Sequence, residues 1–259
     1  MIIAQISDTH LIVDGPGSAQ RIADFEAVVA DINTLDPAPD LVVHTGDIVH
    51  NGLAEEYALA AEILGRARAK TYVMAGNKDD RANLRTAFAG QAYLSESSEF
   101  IDYAVEDHPV RLLMLDTVNP QSKKGAFCTR RIARLEALAA RDAGKPIVVF
   151  AHHPPFEVLV GPERFHFDDL SAMARMAAAL QEPGRVIALF CGHVHRPTFG
   201  RVGAIPAAVM PSVATSLRYG DYPEHVAARP IYFVHRYSPP SGFTTETRLA
   251  GGWSRRTAS

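Results

Sequence analysis

The chain contains 259 residues, of which 47% are hydrophobic and 21% are charged, a composition typical of a globular protein with a sizeable core. Its net charge of -3 provides no basic field, which argues against binding of long nucleic acid, and its two cysteines indicate neither a disulfide framework nor a thiolate zinc site. The sequence has no secretory signal pattern and no apolar run of the roughly 18 residues that span a membrane, so we expect a cytoplasmic protein without a membrane partner.

The first half of the sequence predicts two consecutive βαβ units. An apolar strand in residues 1–7 is followed by a helix at 19–35 and a second strand at 40–45. The pattern repeats with a helix at 53–67 and a strand at 71–75. Two such units in a row predict a parallel sheet.

The second half predicts that antiparallel strands join this parallel arrangement. Residues 97–117 contain two extended runs around a turn and indicate an antiparallel hairpin, so we expect mixed sheets. The remaining central elements are expected as helices at 130–141 and 168–180, strands at 147–151 and 185–190, and an irregular segment at 153–167.

The last part of the chain alternates short apolar runs with turn residues. We interpret residues 197–253 as strands that complete a second sheet and as a possible contact in a homo-oligomer, and residues 254–259 as a loose end. Since no internal repeat or low-complexity tract stands out, residues 1–259 are treated as a single α/β domain.

Polar side chains follow five of the predicted strands at the same end of each strand. Oxygen and imidazole donors without thiolates suit Mn, Fe, Zn or Co better than Ca. Seven such ligands are too many for one tetrahedral ion, whereas two ions that share a carboxylate would use them all, as in two-metal sites for attack at phosphorus. The seven residues are Asp8, His10, Asp47, Asn77, His152, His193 and His195.

The spacing of these residues requires an unusual backbone at the strand ends. Asp8 and His10 occupy alternate positions, as do His193 and His195, so both members of each pair reach inward only if the chain twists or bends there. Glycine immediately precedes three of the ligands, which is expected where the backbone must turn tightly beside crowded ions; these are Gly46, Gly76 and Gly192.

The motifs DTH, GD, GNKD, HHPP and GHVH resemble those of the calcineurin-like metallophosphoesterase family, and more closely its bacterial branch of cyclic nucleotide and glycerophosphodiester phosphodiesterases. They extend from Asp8 to His195 in the family order. The resemblance implies a four-layer αββα sandwich of two mixed sheets flanked by helices. It also implies that Asp8, His10 and His195 hold one metal ion, that Asn77, His152 and His193 hold the other, and that Asp47 bridges them.

The resemblance further implies metal-dependent hydrolysis of a small phosphodiester, of cyclic nucleotide or glycerophosphodiester type, by a hydroxide bridging the two metals. Asp47, Asn77 and Lys78 would then be the catalytic residues. Two alternatives stay open, a phosphomonoesterase and a catalytically weak metal-binding scaffold. Related enzymes form homo-oligomers, and we expect the same here.

Lys78 departs from the family motif, in which histidine usually occupies this position and contacts the phosphate or protonates the leaving oxygen. Lysine supplies a positive charge and three donors, but its reference pKa of about 10.4 makes it a poor general acid. We therefore hypothesise that Lys78 acts electrostatically and that the enzyme favours good leaving groups or strained cyclic phosphates.

Several neighbouring residues are assigned weaker roles. His153 and His166 are possible substrate contacts, although for the aromatic segment around His166 an anchor that holds the loop is the favoured interpretation. His44 is expected to be a packed or supporting residue. The remaining polar residues near the motifs are expected to be helix caps or solvated surface residues; they are Asp79, Asp80, Arg81, Arg131, Arg134 and Arg141.

Overall fold

The computed structural model describes residues 1–94, 99–141, 144–160, 163–164 and 166–251. In chain order its elements are β1 (Ile2–Ile6), α1 (Ser18–Ile32), β2 (Leu41–His44), α2 (Ala54–Gly65), β3 (Lys70–Val73), α3 (Arg81–Ala87), β4 (Tyr103–Val105), β5 (Arg111–Leu115), α4 (Thr129–Ala140), β6 (Ile147–Ala151), β7 (Leu159–Val160), β8 (Glu163–Arg164), α5 (Leu170–Gln181), β9 (Val186–Cys191), β10 (Thr198–Val202), β11 (Ile205–Val209), α6 (Glu224–Ala227), β12 (Ile231–Ser238) and β13 (Gly242–Leu249). Short 3₁₀ helices lie at Ala92–Leu94 and Thr215–Leu217.

Two mixed sheets form the centre of the protein. The first has the strand order β13-β12-β1-β2-β3, and the second has the order β10-β11-β9-β6-β5-β4. The strands β1, β2 and β3 are parallel to one another, as are β5, β6, β9 and β11, while β4, β10, β12 and β13 add antiparallel pairs. The predicted α/β class with two mixed sheets is confirmed.

The strand β6 shows how the sheets and helices are layered. Its side chains alternate in direction, so Val148 and Phe150 join the core shared with the first sheet. Val149 on the opposite face packs in a second core with Leu135 of α4 and Met176 of α5. Because β6 is buried on both faces, its sequence IVVFA is a continuous apolar run. Helix, sheet, sheet and helix therefore form the four layers that the sequence resemblance implied.

The prediction for the last third of the chain was correct for only half of its strands. β10 and β11 do complete the second sheet, but β12 pairs antiparallel with β1 and brings β13 into the first sheet. An alternating strand pattern identifies a half-buried strand but not the edge that it will join, which explains the error. The predicted loose end at 254–259, together with 252–253, lies outside the described residues.

The central elements follow the predictions with shifted boundaries. β4 and β5 form the antiparallel hairpin expected at 97–117, of which residues 97 and 98 lie outside the described residues. α4 begins at Thr129, one residue before the expected start at 130. Arg131, predicted to be solvated, is instead buried on this helix, where its guanidinium donates to the carbonyl of Val118 at 2.6 Å.

The lengths and compositions of the helices were compared with those of membrane-spanning helices. Within the described part of the chain, none combines the length and the apolar character needed to cross a bilayer. The seven predicted metal ligands lie just after the ends of β1, β2, β3, β6 and β9.

Candidate metal centre

The backbone bends sharply at five of the seven predicted ligands. Asp8, His10, Asp47, His193 and His195 have φ angles of 54°, 44°, 51°, 74° and 58°. Among the described residues other than glycine, these five are the positions with positive φ. This left-handed conformation is unfavourable for residues with a Cβ and is typical of functional sites. The bend expected at the Asp8–His10 and His193–His195 pairs is therefore confirmed, and it lets alternate residues face the same side.

The glycines before the ligands provide space that a side chain would fill. A Cβ on Gly76 would overlap Oδ1 of Asp47, and a Cβ on Gly46 would lie 2.7 Å from Nδ1 of His152. A Cβ on Gly192 would lie 2.6 Å from Oδ2 of Asp8. The expected crowding at these three positions is confirmed.

One group of potential ligands joins the ends of β1, β2 and β9. The Nε2 atoms of His10 and His195 lie 3.0 Å apart, and Nε2 of His195 lies 3.3 Å from Oδ1 of Asp8. Nε2 of His10 lies 3.5 Å from Oδ2 of Asp47. The four side chains can offer ligand atoms that all lie within 4.8 Å of one another.

A second group lies on the other side of Asp47. Nε2 of His152 lies 3.2 Å from Oδ1 of Asn77 and 3.5 Å from Oδ1 of Asp47. The ring of His193 lies 5.1 Å from that of His152, measured between centroids. Asp47 thus presents Oδ2 to the first group and Oδ1 to the second. The fold brings together all seven residues that the sequence singled out.

The charges of this centre fit a cation site. Burial raises the pKa of Asp8, but the hydrogen bond and charge of His195 and the charges of His152 and His10 outweigh it, so this pKa lies well below its usual value. Burial lowers the pKa of His10 to about 3. Burial also opposes protonation of His152, yet the charge and hydrogen bond of Asp47 raise its pKa to about 9. Ionised carboxylates beside imidazoles are a donor set that borderline metals bind, and a metal ion would displace the proton that Asp47 stabilises on His152.

Backbone carbonyls orient two of the histidines. Nδ1 of His152 lies 2.8 Å from the carbonyl oxygen of Thr45, and Nδ1 of His195 lies 2.9 Å from that of Leu217. When Nδ1 carries the proton, Nε2 presents its lone pair to the centre. His50 contacts His10 through Nδ1 atoms 3.3 Å apart, a neighbour that no sequence motif indicated.

Asp79 contributes in a way that sequence reasoning missed. The prediction of a cap or surface residue was wrong, since Asp79 is buried and accepts hydrogen bonds from the amides of Gly76 at 2.8 Å and Ile48 at 3.2 Å and from the hydroxyl of Tyr57 at 2.9 Å. It therefore ties the turn before Asn77 to the chain that follows Asp47. The only available signal was an acidic residue in the GNKD turn. Asp80, in contrast, caps α3 as predicted.

The two histidines considered as substrate contacts are both fully buried. Nδ1 of His153 lies 2.8 Å from the hydroxyl of Thr117, and its Nε2 lies 3.1 Å from the carbonyl oxygen of Lys123. Its ring packs 4.3 Å from that of His193, and His152, His153 and His193 can offer ring nitrogens that lie within 4.8 Å of one another. The carbonyl of His166 accepts from the amide of Gly125 at 2.7 Å, as an anchor would. Phe165, which neighbours it, lies outside the described residues.

Two further residues lie where the predictions placed them. Lys78 is half-buried beside the centre, and its amide donates to Oδ1 of Asp47 at 2.7 Å. His44 is buried, with Nε2 located 2.9 Å from the hydroxyl of Thr9. Its role as a packed supporting residue is confirmed by these contacts.

Comparison with known proteins agrees with the family resemblance of the sequence motifs. The family model described as calcineurin-like phosphoesterase matches residues 1–197. The chain is 33% identical over 259 residues to a protein of Arcobacter nitrofigilis named "Probable glycerophosphodiester phosphodiesterase GpdQ", with 97% of this chain and 94% of the relative covered. It is 31% identical over 223 residues to a "Probable cyclic nucleotide phosphodiesterase" of Rhodopseudomonas palustris, with 83% of this chain and 78% of the relative covered. A solved dimetal phosphatase from Danio rerio shares the fold, with a TM-score of 0.69 at 12% identity over 97% of this chain and 99% of that one.

Proposed function

Because this chain belongs to the calcineurin-like phosphoesterase family, we propose that it hydrolyses small phosphodiesters at a centre of two metal ions. The observation that carries the proposal is the position of Asp47, whose two oxygens lie 3.5 Å from His10 on one side and 3.5 Å from His152 on the other. The relatives named glycerophosphodiester and cyclic nucleotide phosphodiesterases support a diester as substrate.

The ligands divide around Asp47 in this proposal. Asp8, His10 and His195 would hold one ion, Asn77, His152 and His193 would hold the other, and Asp47 would be shared by both. When bound, the two ions supply Lewis acidity that activates water and neutralises charge on the phosphoryl group. The donor set suits Mn, Fe, Zn or Co, and availability decides among them.

The chain's own residues then position the diester. Asn77 and Lys78 are both only partly buried, so a substrate can reach this part of the centre. Lys78 stabilises negative charge on a phosphoryl oxygen, because it is a flexible cation with three donors. An ammonium is a weaker general acid than an imidazolium, so good leaving groups and strained cyclic phosphates are favoured.

Relative rates on aryl esters test this function. We expect Mn-loaded protein to hydrolyse bis(4-nitrophenyl) phosphate with a higher kcat/KM than 4-nitrophenyl phosphate, and chelation to abolish both rates. A preference for the monoester would favour a phosphomonoesterase. Binding of two metals without turnover of either ester would favour a metal-binding scaffold.

We further propose a cytoplasmic homo-oligomer. The exposed aromatic side chains of Phe199 and Tyr219 lie in the C-terminal part that the sequence suggested as a contact. Light scattering coupled to gel filtration measures the oligomeric state.

A further inference from the structure

A buried glutamine lies between the two sheets, beside the candidate metal centre. Gln5 of β1 is fully buried, and its side chain reaches from the first sheet to the second. Its Nε2 donates to the carbonyl of Cys191, the last residue of β9, at 3.0 Å. The same nitrogen donates to the hydroxyl of Thr45, which follows β2, also at 3.0 Å. One side chain therefore connects three strands that lead to predicted ligands.

The acceptors around Gln5 fix the orientation of its amide. A flipped amide would place its oxygen against the carbonyl oxygen of Cys191, where neither atom can donate. Oε1 of Gln5 therefore faces Nε2 of His235 at 2.9 Å, and this imidazole nitrogen carries a proton. Nδ1 of His235 then accepts from the hydroxyl of Thr245 at 2.9 Å. Burial lowers the pKa of His235 to about 3, so the ring is neutral and satisfies both neighbours.

Both acceptors of the Gln5 amide lead directly to predicted ligands. The carbonyl oxygen of Thr45 lies 2.8 Å from Nδ1 of His152. Cys191 is followed by a glycine and then by His193, whose ring lies 5.1 Å from that of His152. Both histidines follow strands of the second sheet, whereas Thr45 follows a strand of the first. The amide thus sets how closely Thr45 and Cys191 approach each other, and with them the two histidines.

The core shared by the two sheets is otherwise largely apolar and includes Phe190 and Phe233. An amide buried there adds little net stability, because it exchanges hydrogen bonds to water for hydrogen bonds within the protein. It adds direction, because hydrogen bonds hold their partners at defined distances and angles. We propose that Gln5 is a positioning residue that holds His152 and His193 in the geometry needed to bind the metal ion assigned to them. The proposal rests on the proposed two-metal function.

Three variants separate positioning from stability. Gln5→Met keeps the length of the side chain but removes both donors and leaves Nε2 of His235 without its acceptor. The carbonyl of Cys191 still accepts from the amide of Met210 at 2.8 Å, and the hydroxyl of Thr45 can still donate to a backbone carbonyl of β1. His235→Phe is the matched control, because it leaves both donors of Gln5 in place. The double variant removes the amide and the imidazole together.

Two measurements are made on each protein. Electron paramagnetic resonance of free Mn during a titration gives the affinity for each of the two ions, and thermal melting in the presence of a chelator gives stability without the contribution of bound metal. For Gln5→Met we expect a lower melting temperature and about tenfold weaker binding of one ion, as the loss of a supporting hydrogen bond would cause. The other ion should bind within about threefold of the parent affinity.

The remaining two variants should uncouple the two measurements. His235→Phe should lower the melting temperature but keep the parent affinities, because the amide of Gln5 still holds β2 and β9. The double variant should recover melting temperature, because the unpaired imidazole donor is gone, yet still bind one ion about tenfold more weakly than the parent. Where Gln5→Met alone does not fold, the double variant decides.

The possible contradictions are distinct. Parent affinity for both ions without the amide, equal weakening of both ions, or an affinity that rises and falls with the melting temperature across the variants would overturn the positioning role. Each of these results would leave the proposed function intact. A parent protein that binds a single ion or none would overturn the two-metal function itself.

Discussion

Asp47 faces His10 through Oδ2 and His152 through Oδ1, and both oxygen–nitrogen distances are 3.5 Å. These histidines belong to different layers of the fold, because His10 follows β1 of the first sheet and His152 follows β6 of the second. The carboxylate therefore lies where the two sheets meet. Substitutions of the predicted ligands' neighbours and supporting residues should affect metal binding, protein stability and the preference among leaving groups to different extents.

Lys78→His should change the preference among leaving groups. A histidine can protonate a departing alkoxide near neutral pH, which the lysine does poorly. We expect the ratio of kcat on an alkyl diester to kcat on an aryl diester to rise by roughly tenfold or more. Steady-state rates on a series of diesters with graded leaving groups measure this. Equal ratios for parent and variant would show that Lys78 has no influence on leaving-group departure.

Gly76→Ala should impair metal binding, because the added Cβ would overlap Oδ1 of Asp47. We expect loss of most bound metal and at least a hundredfold lower kcat/KM, since small displacements at a reacting centre are costly. Gly65→Ala is the control, as its Cβ would contact nothing within 4 Å. Normal metal content in Gly76→Ala would refute the predicted crowding.

Asp79→Asn should destabilise the protein. The amide would direct a donor at groups that already donate to Asp79, namely the backbone of Gly76 and Ile48 and the hydroxyl of Tyr57. We expect the free energy of unfolding to fall by about 3 kcal/mol in urea denaturation. Asp80→Asn should change it by less than about 0.5 kcal/mol, because asparagine caps helices as well as aspartate. Similar changes in the free energy of unfolding for both variants would argue against a stabilising role of the hydrogen bonds to Asp79.

Asp102→Asn should alter how stability depends on pH. Burial raises the pKa of Asp102 to about 7, so its protonated form stabilises the fold at low pH and this contribution is lost as the pH rises towards 7. The asparagine variant should therefore gain stability relative to the parent between pH 5 and pH 8, by on the order of 2 kcal/mol. Urea denaturation across this range measures it, with Asp107→Asn as an exposed reference. A difference that is constant with pH would contradict the prediction.

The sequence predicted which side chains meet at the centre better than it predicted the residues that support them. Apolar runs that end in Asp8 or His152 are readable because a buried parallel strand leaves a continuous pattern and its end leaves a polar one. The partner of a strand leaves no such pattern, and β12 was therefore assigned to the wrong sheet. Burial of Asp79 and Arg131 was missed for a related reason, since a charged residue is buried only when distant groups satisfy it.

Metal stoichiometry tests the central claim most directly. Elemental analysis of protein reconstituted with Mn and then freed of excess metal gives the number of ions per chain. The account predicts two ions for the parent and for the exposed control Asp107→Asn, and one or none for Asp47→Asn, which lacks the bridging carboxylate. A parent that binds a single ion, or an Asp47→Asn variant that retains two, would contradict it.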